Sequence, residues 1–299
     1  MGKMMFSVFI KAYRSLQGKG LGRLPLMARV VDFLYNHLKP GGDIVLIEVQ
    51  GHKMYIDPRD VAIPRQLIMY GHYEKYQTEL FRKLVKRGNV VVDIGAHIGH
   101  YTLIAADLVS EDGSVFAFEP APENYAFLVK NVAVNGYNNV ITVSKAVSNK
   151  VGMAKLFLNQ YDTGCHTLYK RDDGGNSLEV ETITLDDFFK GRENRIDVIK
   201  MDVEGAELLV LHGMNEILRR NSHLKIFTEF SPTLLKKAGS VPEEYLKELM
   251  SYGFELFHIN EKKEALQPVD IDKAMQIGTE EKWTNLLCLK RNVEGELRS

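Results

Sequence analysis

The chain has 299 residues, 45% hydrophobic and 26% charged, with a formal net charge of −1. That balance excludes a disordered chain and a basic nucleic-acid binder, and no apolar run approaches the ~18 residues of a membrane span. Cys165 and Cys288 stand far apart, outside any CxxC or Cys/His set, which predicts reduced thiols in a cytoplasmic protein and no zinc.

Residues 1–42 read as an N-terminal helical extension. Up to Pro40 there are seven Lys/Arg against one acid, Asp32, so +6 falls here and −7 on the rest. The bases are interleaved with Phe6, Phe9, Ile10, Tyr13, Val30, Phe33 and Leu34 at near-helical spacing. The favoured reading is a solvated basic face on helices that cover the main domain or the second subunit of a homodimer. Peripheral contact with an anionic membrane is the alternative. Met4–Ile10 is too short, and too soon followed by Lys11, to be a signal peptide.

Pro40-Gly41-Gly42 marks a break, and residues 43–88 read as a lead-in hairpin and helix. Ile44–Val49 and Met54–Ile56 form the hairpin across Gly51-His52, and the helix spans about 78–87 before Gly88. Residues 89–299 form the main domain. Strands are predicted at 90–94, 115–119, 140–144, 196–201, 224–229, 253–258 and 284–290, and helices at 101–109, 122–134, 184–190, 206–220 and 242–251. Apolar strands alternating with amphipathic helices specify an α/β three-layer sandwich around a mostly parallel sheet. The last strand follows a long loop, 261–282, and is expected to insert antiparallel, giving seven strands with one reversed. Met153–Leu158 and Leu178–Thr182 look like an added strand pair flanking a polar loop with Asp162, Cys165 and His166.

The most specific stretch is VVDIGAHIGHYTLIAA, Val91 to Ala106, followed by SVFAFEP, Ser114 to Pro120. Strand, glycine turn, helix, strand and acid form a nucleoside-binding βαβ plan, with Glu119 placed to accept hydrogen bonds from ribose hydroxyls. Singly, Gly95 and Gly99 serve a tight turn, Asp93 a helix cap and Glu119 a solvated strand end. Together they point to a nucleoside. A dinucleotide site uses G-x-G-x-x-G so that backbone approaches a pyrophosphate. Here the pattern is Asp-x-Gly-x-x-x-Gly, which favours a ligand without phosphates, S-adenosylmethionine (SAM) being the common one.

A second constellation is IDVIKMDVEGAELLVLHGM, Ile196 to Met214. Its strand is expected beside the first, at the switch point of the sheet where ligands bind, so Asp202, Glu204 and Glu207 crowd the mouth of a site. Acids at a helix N-terminus are favoured by ~0.3–1 kcal/mol each, but three round one turn repel. Glu229 ends the next strand in FTEFSP. Acids at 93, 119, 202 and 229 suit a cofactor whose sulfonium and ammonium are both positive.

With YGHYEKYQTELF (Tyr70 to Phe81), KNVAVNG (Lys130 to Gly136), SKAVSNKVG (Ser144 to Gly152), ITLDDF (Ile183 to Phe188) and IKMDVEGAE (Ile199 to Glu207), the ordered set resembles the FkbM-type SAM-dependent methyltransferases over roughly residues 43 to 290. The resemblance implies a class I methyltransferase (Rossmann-like) fold with strand order 3-2-1-4-5-7-6, SAM as cofactor, and O-methylation of hydroxyls on sugars, polyketides and related metabolites. It implies that Asp93, Gly95, Ala96, His97 and Gly99 form the methionine-side loop and that Glu119 and Pro120 hold the ribose. Lys145 and Ala146 would flank the adenine, with Glu74 and Thr78 closing over the methionine end and Asp202 at the cofactor's edge. His97 stands where the family usually has Asn, and His100 where it has an aromatic.

Methyl transfer needs the acceptor oxygen positioned within ~3–3.5 Å of the methyl, and a general base helps by about 10²–10⁴-fold. Asp202 is the first candidate base and Glu229 the second, ahead of Glu204 and of His166 in the polar loop. Asp202 and Glu229 together could assist through a metal, but no H-x-x-x-D or similar ligand set supports one, so no metal is expected. A nucleotide-dependent oxidoreductase on the same fold and a non-catalytic SAM-binding scaffold are the alternatives. The expected acceptor is a small molecule or glycan; its identity lies in the loops 52–73, 160–177 and 261–282, whose shapes do not follow from composition.

Overall fold

The computed structural model describes residues 2–16, 25–40, 42, 44–61, 63–160, 162–170, 175–192 and 195–290; Gly41 of the expected break and residues 161 and 171–174 of the polar loop lie outside these. The chain divides into two compact units, Met1–Tyr73 and Glu74–Ser299.

In the first unit the amphipathic helices α1 (Gly2–Leu16) and α2 (Pro25–Leu38) precede a hairpin of β1 (Val45–Val49) and β2 (His52–Ile56), and then α3 (Ile63–Tyr70). Gln50 and Gly51 both have positive φ, which suits a two-residue hairpin turn matched to strand twist. Phe6 packs edge-on against Tyr35 at 5.6 Å, and both are buried with Ile10, Met54, Leu67 and Ile68. Arg14 donates to the carbonyls of Leu67 (2.6 Å), which also accepts from Gly71 N–H, and Ile68 (3.0 Å), at the end of α3 where helix carbonyls run short of partners. The hairpin forms as expected, and the stretch 52–73, expected otherwise as a loop, also holds the helix α3.

The second unit begins with α4 (Lys75–Leu84). It continues through β3 (Val90–Ile94), α5 (His100–Val109), β4 (Ser114–Phe118), α6 (Pro122–Val134), β5 (Val140–Val143), β6 (Ala146–Val147), β7 (Gly152–Phe157) and β8 (Ser177–Ile183). Next come α7 (Leu185–Phe189), β9 (Val198–Met201), α8 (Glu207–His212), α9 (Asn215–Arg220), β10 (Lys225–Phe230), α10 (Pro232–Lys237) and α11 (Pro242–Ser251). The last elements are β11 (Phe254–Asn260), β12 (Ala265–Val269), α12 (Ile271–Glu280) and β13 (Thr284–Lys290).

The central sheet runs β5-β4-β3-β9-β10-β13-β11-β12. Its first seven positions reproduce the expected order 3-2-1-4-5-7-6, and β13 lies antiparallel to both β10 and β11. One strand is added to the expected seven: β12, antiparallel to β11 at the edge, with Pro268 opposite Phe257. Every residue of β3, β9 and β13 is buried, which requires cover on both faces and gives the three-layer α/β architecture. The core joins Phe118, Phe189, Ile199, Phe230, Tyr245 and Leu286. Each such side chain contributes ~1.5–3 kcal/mol by leaving water.

Other elements differ from the expected ones or add to them. The helix expected over 206–220 is broken into α8 and α9 at Gly213, whose backbone runs so close to Ser148 that a Cβ there would lie 2.1 Å from the Ser148 carbonyl oxygen. The Asp186 carboxylate then caps α9 by accepting from the Glu216 (2.9 Å) and Ile217 (3.1 Å) N–H groups. The loop expected over 261–282 holds β12 and α12, the helix capped by Asp270, which accepts from Lys273 N–H at 2.8 Å. The added pair β7–β8 forms as expected and recruits β6 into a three-stranded sheet. Among the described residues, no helix is long and apolar enough to cross a membrane.

Candidate active site

The chain leaves β3 through Gly95 and β9 through Asp202, so two turns diverge at the point where the strand order reverses. Gly95 and Ala96 N–H both donate to the Phe118 carbonyl at 3.0 Å, tying the glycine turn to the end of β4. His97 takes φ +52°, a left-handed conformation that Asn and His tolerate better than most residues, which accounts for histidine where the family has Asn. Its N–H donates to Glu119 Oε2 at 2.8 Å, while Ala121 N–H donates to Oε1 at 2.8 Å. A carboxylate has about four lone-pair sites, so both oxygens keep capacity toward the cleft. Burial pushes Glu119 up to about 7, against the pull of those two N–H groups.

The cleft beside this acid spans about 540 Å³ of empty space, counting the part open to solvent. Of the expected residues, Gly95, His97, Glu119, Pro120, Lys145, Ala146 and Asp202 line it. Lys145 pairs with Glu181 at 2.6 Å, and Ala146 is buried in β6. The polar loop forms a further wall through Thr163, Gly164 and His166. It is held there by His97 Nε2 against Thr163 Oγ1 (2.7 Å) and by Asn124 Nδ2 donating to the Thr163 carbonyl (2.9 Å). His166 Nδ1 accepts from Asn159 N–H at 3.1 Å. Asn124 and Thr163 carried no motif in the sequence; only the cleft reveals them.

Asp93, Ala96, Gly99, Glu74 and Thr78 are absent from the lining of this cleft. Asp93 is buried at the end of β3, accepts from Thr102 Oγ1 at 2.6 Å, and is pushed by burial up to about 6. Glu74, at φ +42° before α4, accepts from Tyr101 OH (2.8 Å), Gln77 Nε2 (2.6 Å) and Asn285 Nδ2 (2.6 Å). Thr78 Oγ1 reaches the same Tyr101 hydroxyl at 3.5 Å. His100, the first residue of α5, packs on Tyr101 at 5.2 Å.

Lys200 is the buried counter-charge. Its Nζ lies 3.1 Å from Asp202 Oδ2 and 5.2 Å from the Tyr101 ring centroid. Burial alone would lower its pKa, but the carboxylates of Asp202, Glu74 and Asp93 outweigh that and raise it. On the other side of Asp202 lie Glu204, Glu207 and Glu229. Burial pushes all three above the carboxylate range, and Asp202 pushes the same way in each. One oxygen each of Asp202, Glu204 and Glu229 lies within 4.8 Å of the others. Asp202 and Glu204 thus line one edge of the cleft, and Glu229 meets them there from the next strand.

This sheet order, with a glycine turn and a fixed acid at the reversal point, defines the class I methyltransferase fold. Residues 93–256 match the Methyltransferase FkbM domain, and the chain belongs to that family. Its cofactor is accordingly S-adenosylmethionine. The chain is 31% identical to Methyltransferase sdnD of Sordaria araneosa, over 42% of this chain and 60% of that one. It is 30% identical to the Hexuronic acid methyltransferase AglP of Haloferax volcanii, over 44% of this chain and 52% of that one. The chain thus spans between about half and three fifths of these relatives. Among solved structures it aligns with Aeropyrum pernix fibrillarin bound to S-adenosyl-L-methionine at 10% identity and TM-score 0.43, covering 84% of each chain.

Proposed function

We propose that this protein is a SAM-dependent O-methyltransferase acting on a hydroxyl of a sugar, polyketide or related small acceptor. The observation that carries this reading is the Glu119 carboxylate, fixed by two backbone N–H groups at the end of β4 beside the Gly95 turn. The donor set fits SAM: Glu119 accepts from ribose hydroxyls and Pro120, Lys145 and Ala146 flank the base, while Asp93, Glu74 and Thr78 stand behind the cleft lining and act on the methionine end through the residues they hold. When bound, SAM supplies an electrophilic methyl group on a sulfonium. Gly95, Ala96, His97 and Gly99 shape the loop on its methionine side.

On the acceptor side, Asp202 takes the hydroxyl proton, with Glu229 next to it as the second base. A relative named for hexuronic acid supports a sugar acceptor. The test has two stages. Calorimetric titration of SAM, with NADH as the control, is expected to give heat for SAM alone; heat for NADH alone would return the oxidoreductase alternative. Purified protein with SAM and hexuronic or hexose glycans, or polyketide alcohols, is then expected to add one methyl group to an acceptor oxygen. In that assay Asp202→Asn is expected to lower kcat by about 10²–10⁴-fold with SAM affinity held within a few fold. Unchanged kcat in Asp202→Asn would remove it as the base.

SAM binding is expected to depend on pH. Glu119 has an ordinary value of 4.5 and is pushed up to about 7, so the folded protein without ligand holds a proton there that the unfolded chain releases. Stability of the ligand-free protein is therefore expected to fall as pH rises from about 4.5 to about 7. SAM needs the ionised form, and the ionised fraction grows about tenfold between pH 6 and 8 for a group titrating near 7. Calorimetry across that range is expected to show about tenfold tighter binding at the upper end; a flat profile would mean that Glu119 is ionised throughout.

A further inference from the structure

The two helices of the first unit are apolar on more than the side that packs. In α1, Phe6 and Ile10 enter the core, while Met5, Val8, Phe9 and Ala12 recur at i, i+3, i+4 and i+7 along a different side. Met5 and Val8 are 51% and 59% exposed, and Ala12 is exposed as well. The polar arc of α1 falls to Ser7, Lys11, Arg14 and Ser15. In α2, Val31 and Tyr35 are buried, whereas Val30 and Phe33 are 44% and 59% exposed, with the His37 ring 3.9 Å from that of Phe33. An aromatic row continues the stripe of α1: Phe9 lies 6.4 Å from Tyr13, and Tyr13 6.3 Å from Tyr70. A merely solvated basic face would turn polar side chains outward. Here large apolar ones stand there, and the exposed bases Lys11 and Arg29 each lie one turn from one of them, Val8 and Phe33.

We propose that the first unit docks on the surface of an anionic bilayer, with the Met5, Val8 and Ala12 stripe of α1 and Phe33 of α2 entering the boundary between headgroups and acyl chains. Charge selects this occupant. Up to Pro40 the chain carries +6, and its one acid, Asp32, is already paired with Arg65. An anionic lipid surface offers the opposite sign over a whole plane. A second copy of the chain does not: in a two-fold contact the same patch meets itself, which sets +6 against +6. Lys11 and Arg29 suit such a surface, since their aliphatic stems follow the apolar side chains while the charged ends reach lipid phosphates. A groove between α1 and β1 widens the apolar surface beyond Lys11. It is lined by Ile10, Lys11, Ile44, Leu46 and Ile68 and spans about 1010 Å³ of empty space, counting the part open to solvent. Helices of 15 and 14 residues are too short to cross a bilayer, so the contact is with its surface. The docking does not depend on the methyl-donor reading of the second unit.

The test is flotation of the full chain with vesicles of phosphatidylcholine alone and of phosphatidylcholine mixed equally with phosphatidylglycerol. Binding to the mixed vesicles, released by salt and at least about tenfold weaker on the neutral ones, is the expected result. Lys11→Gln and Arg29→Gln are each expected to weaken it about fivefold. Val8→Ser combined with Phe33→Ser is expected to weaken it at least about tenfold, because both side chains stand largely in water until lipid covers them. Being exposed, these two positions are expected to leave circular dichroism and the melting temperature at wild-type values, so that lost binding is not lost folding. Equal binding to both kinds of vesicle overturns the proposal, as does wild-type binding by the Val8→Ser and Phe33→Ser double variant. Absence of vesicle binding overturns it too. In that event a concentration-dependent dimer dispersed by the same double variant would assign the stripe to a second copy of the chain.

Discussion

Gly95→Ala is expected to destabilise the second unit by more than about 4 kcal/mol, beyond the range of ordinary substitutions. Gly95 has φ +78°, and a Cβ there would stand 1.9 Å from the Asp202 carbonyl oxygen and 3.0 Å from its carbon. The obstacle is backbone, held by Asp202 N–H on the Ile94 carbonyl at 3.0 Å, so it cannot swing aside as a side chain would. Relief requires the turns after β3 and β9 to part, which opens the floor of the cleft. Gly136→Ala is the matched control: its φ is +73°, and nothing lies within 4 Å of the added methyl. That variant carries only left-handed strain, about 1–2 kcal/mol. Thermal unfolding is expected to separate the two by roughly 5 °C or more. Equal melting temperatures would mean that the turns slide past each other freely.

Glu119→Gln is expected to abolish SAM binding nearly as fully as Glu119→Ala, a loss of about 100-fold or more. Hydrogen bonds to a charged group contribute about 1.5–3 kcal/mol each, and ribose offers two hydroxyls. Glutamine is no rescue for a local reason. Glu119 accepts an N–H on each oxygen, from His97 and from Ala121, both at 2.8 Å. An amide has one oxygen, so its NH₂ must face one of these donors, N–H against N–H, in a buried site. Calorimetry with SAM, backed by a melting curve to establish folding, reads the outcome. Wild-type affinity in Glu119→Gln would show that ribose is held by other groups.

The strands and helices from β3 to β4, and β9 and β10, are legible in sequence because each is a continuous apolar run ending in a glycine or an acid. Their parallel order then predicts that Asp93, Asp202 and Glu229 emerge at one end of the sheet. What escaped is set by contacts remote in sequence. The break between α8 and α9 answers to the Ser148 carbonyl and the Asp186 cap. Glu74 is fixed partly by Asn285, 211 residues away, and no local pattern announces that bond. The short helix α10 starts at Ser231-Pro232, a legible cap followed by too few residues to show a period. In α12 Ala274 and Gly278 are buried and Ile271 and Met275 pack on the core, but the glycine inside the helix speaks against one in sequence. The wall formed by Thr163 and Asn124 depends on where a polar loop folds back, which composition does not encode.

The proline in β12 bears on how the molecule behaves in a crowd. Without β12 the sheet would end at β11, seven residues long and mostly apolar, a ready template for a strand from another molecule. With β12 in place the outermost strand is five residues, partly exposed, and interrupted by Pro268. Proline has no N–H to offer a newcomer. The growing side of the sheet is thereby blunted against strand-by-strand polymerisation, a safeguard against fibre formation that has no part in the chemistry of the cleft.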